Sequence, residues 1–364
     1  MKICFVFSGE LKYRQRMFKQ IRALQEAGAE CSLIHGWSEA AMPDYSEYAF
    51  RVTPYRVIFE KSKILTIATV LKFNFFAAKV IAAEAPDAVV CCGLSNALGG
   101  AIAKRNAKSV KFVFDSNELT LEMLSGVKKL VFGRFQWFAL KHADVVMHAE
   151  RHRLEYFEQR YPSRANSFLL ENLPYYRECC PERPSETRRF VYFGLLIPDR
   201  HIEELIEAFA GLRDDGITLD IIGFGEKKYE QVLQRLCDEN PRRNVRILPP
   251  VAASRVHENL AEYDVGFAFY QNTNLNNYYC APTKIYDYIQ MGMPVISNDF
   301  PGVVDIVEKN NAGVCISSVT PENIRDAITR IVDHRIANNI TPSLRRRYSW
   351  ESQCAAYLRI FGIG

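Results

Sequence analysis

Lys284 and Asp287 sit three residues apart in the stretch APTKIYDYIQMGMPVISNDFPGVVDIV (281–307), and residues so spaced share one face of a helix. Pro282 stands where that helix starts, and Gly292 and Pro294 stand where it must stop. A cation and a carboxylate then project together from a helix N-terminus, whose free N–H groups and partial positive charge suit a phosphate. Two loops join them. Residues 194–201, GLLIPDRH, follow the strand-like FVYFG and bring Arg200 to a strand's carboxyl end. Residues 223–226, GFGE, follow LDIIG, where Gly223 and Gly225 permit close approach of backbone to a ligand and Glu226 comes next. Together these residues form one rim able to cradle a diphosphate and a ribose. The same Lys–Asp pair would equally serve as an ordinary surface ion pair on an amphipathic helix.

A second constellation lies in FDSNEL (114–119). Asp115 or Glu118, at a strand end, could take the proton of an acceptor hydroxyl, while Asp115 would also suit the cap of a helix starting near Ser116. Gly9, after the opening run KICFVF, offers backbone access to a ligand. Other features carry less. His148 and His152 are four apart, but the helical zinc motif needs Glu directly after the first His. Asp214-Asp215-Gly216 reads as a polar turn, and Arg345–Arg347 as a solvated patch.

The elements that must position these residues alternate in type. Short Val/Ile/Phe runs such as AVVCC (88–92), KFVF (111–114), LDIIG (219–223) and DVGFAF (264–269) are separated by helix-like stretches. Near-continuous apolar strands belong to parallel sheets covered on both faces. A proline- and charge-rich stretch, ENLPYYRECCPERPSETRR (171–189), reads as the linker between two such sheets. Ligands in doubly wound sheets bind beyond the carboxyl ends of the strands, where both constellations fall.

Composition sets the limits. The 364 residues, 48% hydrophobic and 24% charged, describe a globular protein of two domains, not a disordered chain. The net charge is +4. Residues 1–170 hold 24 Lys and Arg against 16 Asp and Glu (+8), and the rest hold 22 against 26 (−4). That asymmetry suggests different partners for the two halves and is too weak to imply nucleic acid. The ten scattered cysteines show no zinc spacing, no signal peptide is read at the N-terminus, and the expectation is a cytoplasmic protein with reduced thiols. Residues 64–83 are the longest apolar stretch, but Lys72, Asn74 and Lys79 argue against a membrane span.

The series Gly194…Arg200, IIGFGE, YDVGFAF, APTKIYDYIQMGMPVISND and PGVVDIV with AGVCI resembles the donor domain of GT-B glycosyltransferases, closest to glycosyltransferase family 4. The likeness runs over about residues 190–335 and extends to 1–170 in outline. It implies an α/β chain of two Rossmann-like, doubly wound domains facing across a cleft. The first, 1–173, would bind the acceptor; the second, 188–347, the donor; and a C-terminal helix, 349–364, would pack back on the first. It implies a nucleotide-sugar-dependent glycosyltransferase, moving a sugar from a nucleotide-diphosphate donor to a hydroxyl of a glycan or lipid-linked acceptor in bacterial surface-polysaccharide assembly, with no metal or other cofactor. The residues it puts at the donor are Gly9, Gly194, Arg200, Gly223, Gly225, Glu226, Lys284, Tyr286 and Asp287, with Asp287 where the family has its ribose-binding glutamate. Asn117 replaces the histidine of the family's Asp-x-His-Glu stretch on the acceptor side. Tyr279 stands where the family has its first glutamate, and Leu195 where it has an arginine. Lys284 with Tyr288 is also similar to an arrangement in an inverting bacterial glucuronosyltransferase family, so the stereochemistry stays open. A non-catalytic GT-B-like protein that binds a nucleotide or a partner is the alternative.

One further expectation concerns membranes. In Ser125–His142, Lys128, Lys129 and Arg134 stand beside Phe132 and Trp137, and in Lys61–Lys79 lysines alternate with Phe73, Phe75 and Phe76. Basic residues among large apolar ones suit a helix lying on an anionic bilayer. That would make the protein peripheral on the inner face of the cytoplasmic membrane.

Overall fold

The computed structural model describes all residues except 40, 59–62, 179, 182–185, 215 and 334–338. Lys61, Cys179, Asp215 and part of the 171–189 linker therefore lie outside the described residues. The chain divides into two compact units, Met1–Asn172 with Gln353–Gly364, and Leu173–Ser352.

The first unit contains β1 (Lys2–Ser8), α1 (Gln15–Glu26), β2 (Glu30–Trp37), β3 (Arg51–Arg56), α2 (Lys63–Glu84), β4 (Ala88–Cys92), α3 (Leu94–Asn106), β5 (Lys111–Ser116), α4 (Gly126–His142), β6 (Val145–His148), α5 (Arg151–Arg160) and β7 (Asn166–Leu169). All seven strands are parallel, in the order β3-β2-β1-β4-β5-β6-β7. Ile3 to Phe7, Val89, Val90 and Phe112 to Phe114 are buried, as strands covered by helices on both faces require. The two edges differ from that pattern: β3 and β7 are half-exposed, and β3 contains Pro54, which only an edge strand tolerates. The longest apolar stretch, residues 64–83, falls in α2. By length and composition Leu65–Glu84 is long and apolar enough to cross one, yet it packs on α3, where buried Asn74 accepts from Gly99 N at 2.7 Å and donates to Ser95 O at 2.7 Å.

The second unit contains β8 (Arg189–Leu196), α6 (Ile202–Ala210), β9 (Thr218–Gly225), α7 (Lys227–Glu239), β10 (Val245–Leu248), α8 (Val256–Leu260), β11 (Val265–Ala268), α9 (Leu275–Tyr278), α10 (Thr283–Gln290), β12 (Val295–Asn298), α11 (Pro301–Ile306), β13 (Gly313–Ile316), α12 (Pro321–Val332) and α13 (Pro342–Arg347). A last helix, α14 (Trp350–Arg359), begins here, and from Gln353 onward its residues belong to the first unit. There Lys111 Nζ donates to Ile360 O and Gln353 exchanges hydrogen bonds with the Glu171 backbone at 2.8 and 2.9 Å. The six strands of the second sheet are parallel, in the order β10-β9-β8-β11-β12-β13. Phe190, Phe209, Phe267 and Ile296 lie in its core.

Each sheet is wound outward from its first strand in one direction and then in the other. The winding reverses between β1 and β4 in the first unit, and between β8 and β11 in the second. Crevices open beyond the carboxyl ends of strands at such reversals, and ligands bind there.

Candidate nucleotide-diphosphate site

At the β8/β11 reversal the polar residues converge. Helix α10 starts after Pro282 and ends in a Schellman motif, with Met293 N donating to Tyr288 O at 2.9 Å and Gly292 N to Ile289 O at 3.0 Å. Its Ile285, Tyr286, Tyr288 and Ile289 are buried, which leaves Lys284 and Asp287 on the half-buried side. The Lys284 ammonium lies 4.1 Å from the centre of the Tyr192 ring and 5.5 Å from that of Tyr270. It occupies the space that Gly194 leaves: a Cβ there would come within 3.0 Å of Nζ, and φ of Gly194 is +147°, a value side-chain-bearing residues rarely adopt. Arg200 ends the turn Pro198–Arg200 and lays its guanidinium 3.9 Å from the centre of the Tyr270 ring. Two cations thus share the Tyr270 ring, an arrangement attractive to each and repulsive between them. Desolvation, with the Arg200 guanidinium adding to it, pushes the Lys284 amine down to about 7.

Asp287 faces His257 of α8, whose Nε2 is 3.0 Å from Asp287 Oδ1. His257 Nδ1 in turn lies 3.1 Å from Arg177 Nη2. His257 and Arg177 carried no signal in the sequence, because neither belongs to the stretches that hold the cations.

Three donor-side expectations need correction. Tyr286 is fully buried, 5.6 Å ring to ring from Tyr348, and belongs to the core instead of the rim. Tyr288 is equally buried and donates its hydroxyl to Phe267 O at 3.3 Å, so it does not pair with Lys284 at the surface. Gly223 and Gly225 do allow close approach, but of strand β8: a Cβ on Gly223 would lie 1.8 Å from Gly194 O, and one on Gly225 2.0 Å from Leu196 O. Glu226 is exposed at the start of α7, without a capping bond, and it is Glu230 that accepts from Gly225 N at 2.7 Å. Leu195, in place of a cation, is exposed and apolar.

In the first unit the picture differs. Asp115 is 2% exposed and closed in by its own fold. Arg16 grips both carboxylate oxygens, at 3.0 and 2.9 Å, and Gln20 Nε2 donates to Oδ2 at 2.9 Å. The expectation that Asp115 takes a substrate proton is therefore corrected: it is a buried anchor between β5 and α1. Glu118 is exposed, and its carboxylate has no hydrogen bond or ion pair among the described residues. Asn117 is half-buried and accepts from Arg153 through its carbonyl at 2.8 Å. Gly9, at φ +127°, ends β1 with its carbonyl 2.8 Å from buried His35 Nε2. Beside Asp115, at the end of β6, His148 is fully buried and neither ring nitrogen has a hydrogen-bond partner among the described residues. Burial pushes its imidazole down to about 4. His152 pairs with Glu150 at 2.8 Å, not with His148. Among the described residues no group of three or more His, Cys, Asp or Glu could hold a metal ion.

On α4, Phe132 is 5% exposed and packs inward, so it cannot meet a bilayer as expected. Lys128 is half-buried and Lys129 pairs with Glu122 at 3.0 Å. The outward stripe is Val127, Leu130, Arg134, Trp137 and Lys141, with Leu130 and Trp137 each 63% exposed. Lys63 has no described side chain.

Residues 187–334 match the family of glycosyl transferases group 1. No curated protein matches the chain in sequence. Among solved structures, sucrose-phosphate synthase from Thermosynechococcus elongatus superposes with a TM-score of 0.78 at 14% identity, covering 99% of this chain and 98% of that one. The lipopolysaccharide outer core galactosyltransferase WaaB gives 0.70 at 16% identity, with 99% of each chain covered. HepE from Anabaena, solved with UDP and glucose, gives 0.72 at 16% identity, again with 99% of each. The fold is GT-B, two Rossmann-like α/β units of parallel strands flanked by helices.

Proposed function

We propose that this chain, which carries a group 1 glycosyl transferase domain over residues 187–334 of a GT-B fold, moves a sugar from a nucleoside-diphosphate sugar to a hydroxyl of a glycan or glycolipid. The observation that carries the proposal is the pair of aromatic-seated cations, Lys284 and Arg200, at the β8/β11 reversal. A diphosphate placed there would meet two cations and the N-terminus of α10, and the half-buried Asp287 one turn along the helix would meet ribose hydroxyls. In this reading the diphosphate charge is met by side chains and no metal is needed. Glu118, an exposed carboxylate close in sequence to Asp115 and without a hydrogen bond or ion pair among the described residues, is the residue we assign to the acceptor proton. The alternative is a GT-B-like protein that binds a nucleotide or a partner without transfer; the engagement of Asp115 by Arg16 and Gln20 favours it, because one of the two candidate bases is removed. Thermal-shift titrations with UDP, GDP, ADP and their sugars test the binding: stabilisation must grow with ligand concentration. Flat curves for every nucleotide would end the transfer reading and leave only partner binding, and nucleotide binding without turnover of any donor, with or without acceptors, would leave the alternative.

The setting we propose is bacterial surface-polysaccharide or glycolipid assembly, by a cytoplasmic enzyme held on an anionic membrane face. Its support is the outward stripe of α4 and the neighbouring α2, which exposes Leu65, Lys72, Phe75 and Lys79. Beside Trp137 and Lys141 open two hollows of about 800 and 840 Å³, the second lined by Lys104, Arg105, Lys108 and Lys111. Apolar residues flanked by exposed cations suit the headgroup layer of an anionic bilayer. Co-sedimentation with vesicles should require anionic lipid and weaken with salt and in Arg134→Glu/Lys141→Glu. Equal sedimentation with neutral vesicles would remove the anionic requirement from the proposal, and no sedimentation with either would remove the membrane.

A further inference from the structure

We propose that His257 is a positioning residue that holds Asp287 in the orientation needed to read a ribose; the inference rests on the nucleotide reading above. A guanidinium has hydrogens to give and no lone pair to accept with. With Arg177 Nη2 3.1 Å from Nδ1, that nitrogen must carry the lone pair, and the neutral imidazole then holds its proton on Nε2. Nε2 is buried and 3.0 Å from Asp287 Oδ1, although the ring is turned off the line of an ideal hydrogen bond. The Nε2–H thus faces Oδ1 from the α8 side at close range, without a formed hydrogen bond. Oδ2 has no hydrogen bond or ion pair among the described residues, which leaves it for an incoming hydroxyl.

The arrangement closes on itself through α10. Arg177 is held by its backbone: its N–H donates to Gln290 Oε1 at 3.2 Å, and its carbonyl accepts from Arg345 Nη1 at 2.8 Å. Gln290 is fully buried and donates to Arg345 O at 2.7 Å and Tyr348 O at 2.9 Å. The helix that carries Asp287 at its middle therefore fixes, from its last residue, the arginine that sets the tautomer of the histidine facing Asp287. A histidine that merely filled space would need neither the arginine nor that return to the same helix.

The test compares affinities for the best-binding diphosphate among UDP, GDP and ADP and for its 2′-deoxy form, in the full chain. Wild type should prefer the ribonucleotide, and Asp287→Asn should abolish the preference. His257→Leu should cut ribonucleotide affinity about three- to tenfold, the loss of one hydrogen-bond-sized contribution, and leave the deoxynucleotide unmoved. His257→Gln, which returns an N–H donor at similar reach, should restore most of it. Should His257→Leu fail to fold, Arg177→Gln answers instead: Arg177 is exposed, and freeing Nδ1 should lower the ribo-to-deoxy ratio without lowering the melting temperature. If Asp287→Asn abolishes the preference while His257→Leu, or in its place Arg177→Gln, leaves it at wild-type level, the inference about His257 is overturned and the nucleotide reading stands. If Asp287→Asn leaves the preference intact, or wild type shows none, the ribose reading itself fails and this inference with it.

Discussion

The two sheets reverse their winding in the same way, yet the polar residues near the two reversals are used in opposite ways. In the second unit Lys284 and Arg200 rest on aromatic faces, with no carboxylate partner among the described residues, and Asp287 keeps one oxygen unengaged. In the first, Asp115 is held by Arg16 and Gln20, and His35 holds the Gly9 carbonyl. A strand end at a reversal is thus not a site by position alone. It becomes one where charge is held in place by groups that do not neutralise it, as the faces of Tyr192 and Tyr270 do.

The contrast is broken most severely at Glu118, whose carboxylate is unengaged among the described residues. Glu118→Gln should lower turnover by ~10²–10⁴-fold, the usual worth of a general base, with donor binding unchanged; retention of more than about a tenth of wild-type turnover would take the role away from it. Asp115→Asn should act on stability instead. Breaking a buried ion pair by removing one partner costs about 3–5 kcal/mol, to be read as a lower urea midpoint; an unchanged midpoint with lost turnover would return Asp115 to catalysis.

His148 sharpens the same difference through pH. Its imidazole is pushed down to about 4, first by burial, from an ordinary value of 6.5. Between those values the unfolded chain binds a proton that the folded chain refuses, so stability falls as pH drops from about 6.5 to 4, by about 3 kcal/mol in all. His148→Phe should flatten that decline in urea midpoints, and an unaltered slope would place the acid sensitivity elsewhere.

A smaller effect is expected at Lys284. Lys284→Ala should weaken nucleoside-diphosphate binding at least tenfold, from a charge-assisted contact of ~1.5–3 kcal/mol, and leave the nucleoside unaffected. Its amine titrates near 7 in the free protein, and a bound diphosphate favours the ammonium form. Affinity for a nucleotide sugar should therefore fall as pH rises above about 7, with uptake of up to one proton per site on binding, measurable by calorimetry in buffers of different ionisation heat. Affinity independent of pH from 6 to 8.5 would mean the ammonium does not meet the diphosphate.

What could be read in advance follows from locality. Strands AVVCC (88–92) and KFVF (111–114) are where the apolar runs put them, since a run covered on both faces is written in consecutive residues. The edge strand RVTPYR (51–56) was not legible, because half its residues meet solvent and its proline argues against a strand. Lys284, Asp287 and Arg200 stand out since each is set by its own turn or helix start. The engagement of Asp115 was hidden: its partners lie 99 and 95 residues away, on a helix with no local reason to reach it. The same holds for His257 and Arg177, which meet Asp287 only through tertiary packing.

The seat that Gly194 provides for Lys284 also ties the two positions together in any redesign of the chain. A Cβ at 194 would stand 3.0 Å from Nζ, so the ammonium would have to give by a few tenths of an ångström, and the φ of +147° would stay strained for any side chain whatever stands at 284. Shortening the side chain at 284 therefore removes only the first of two obstacles.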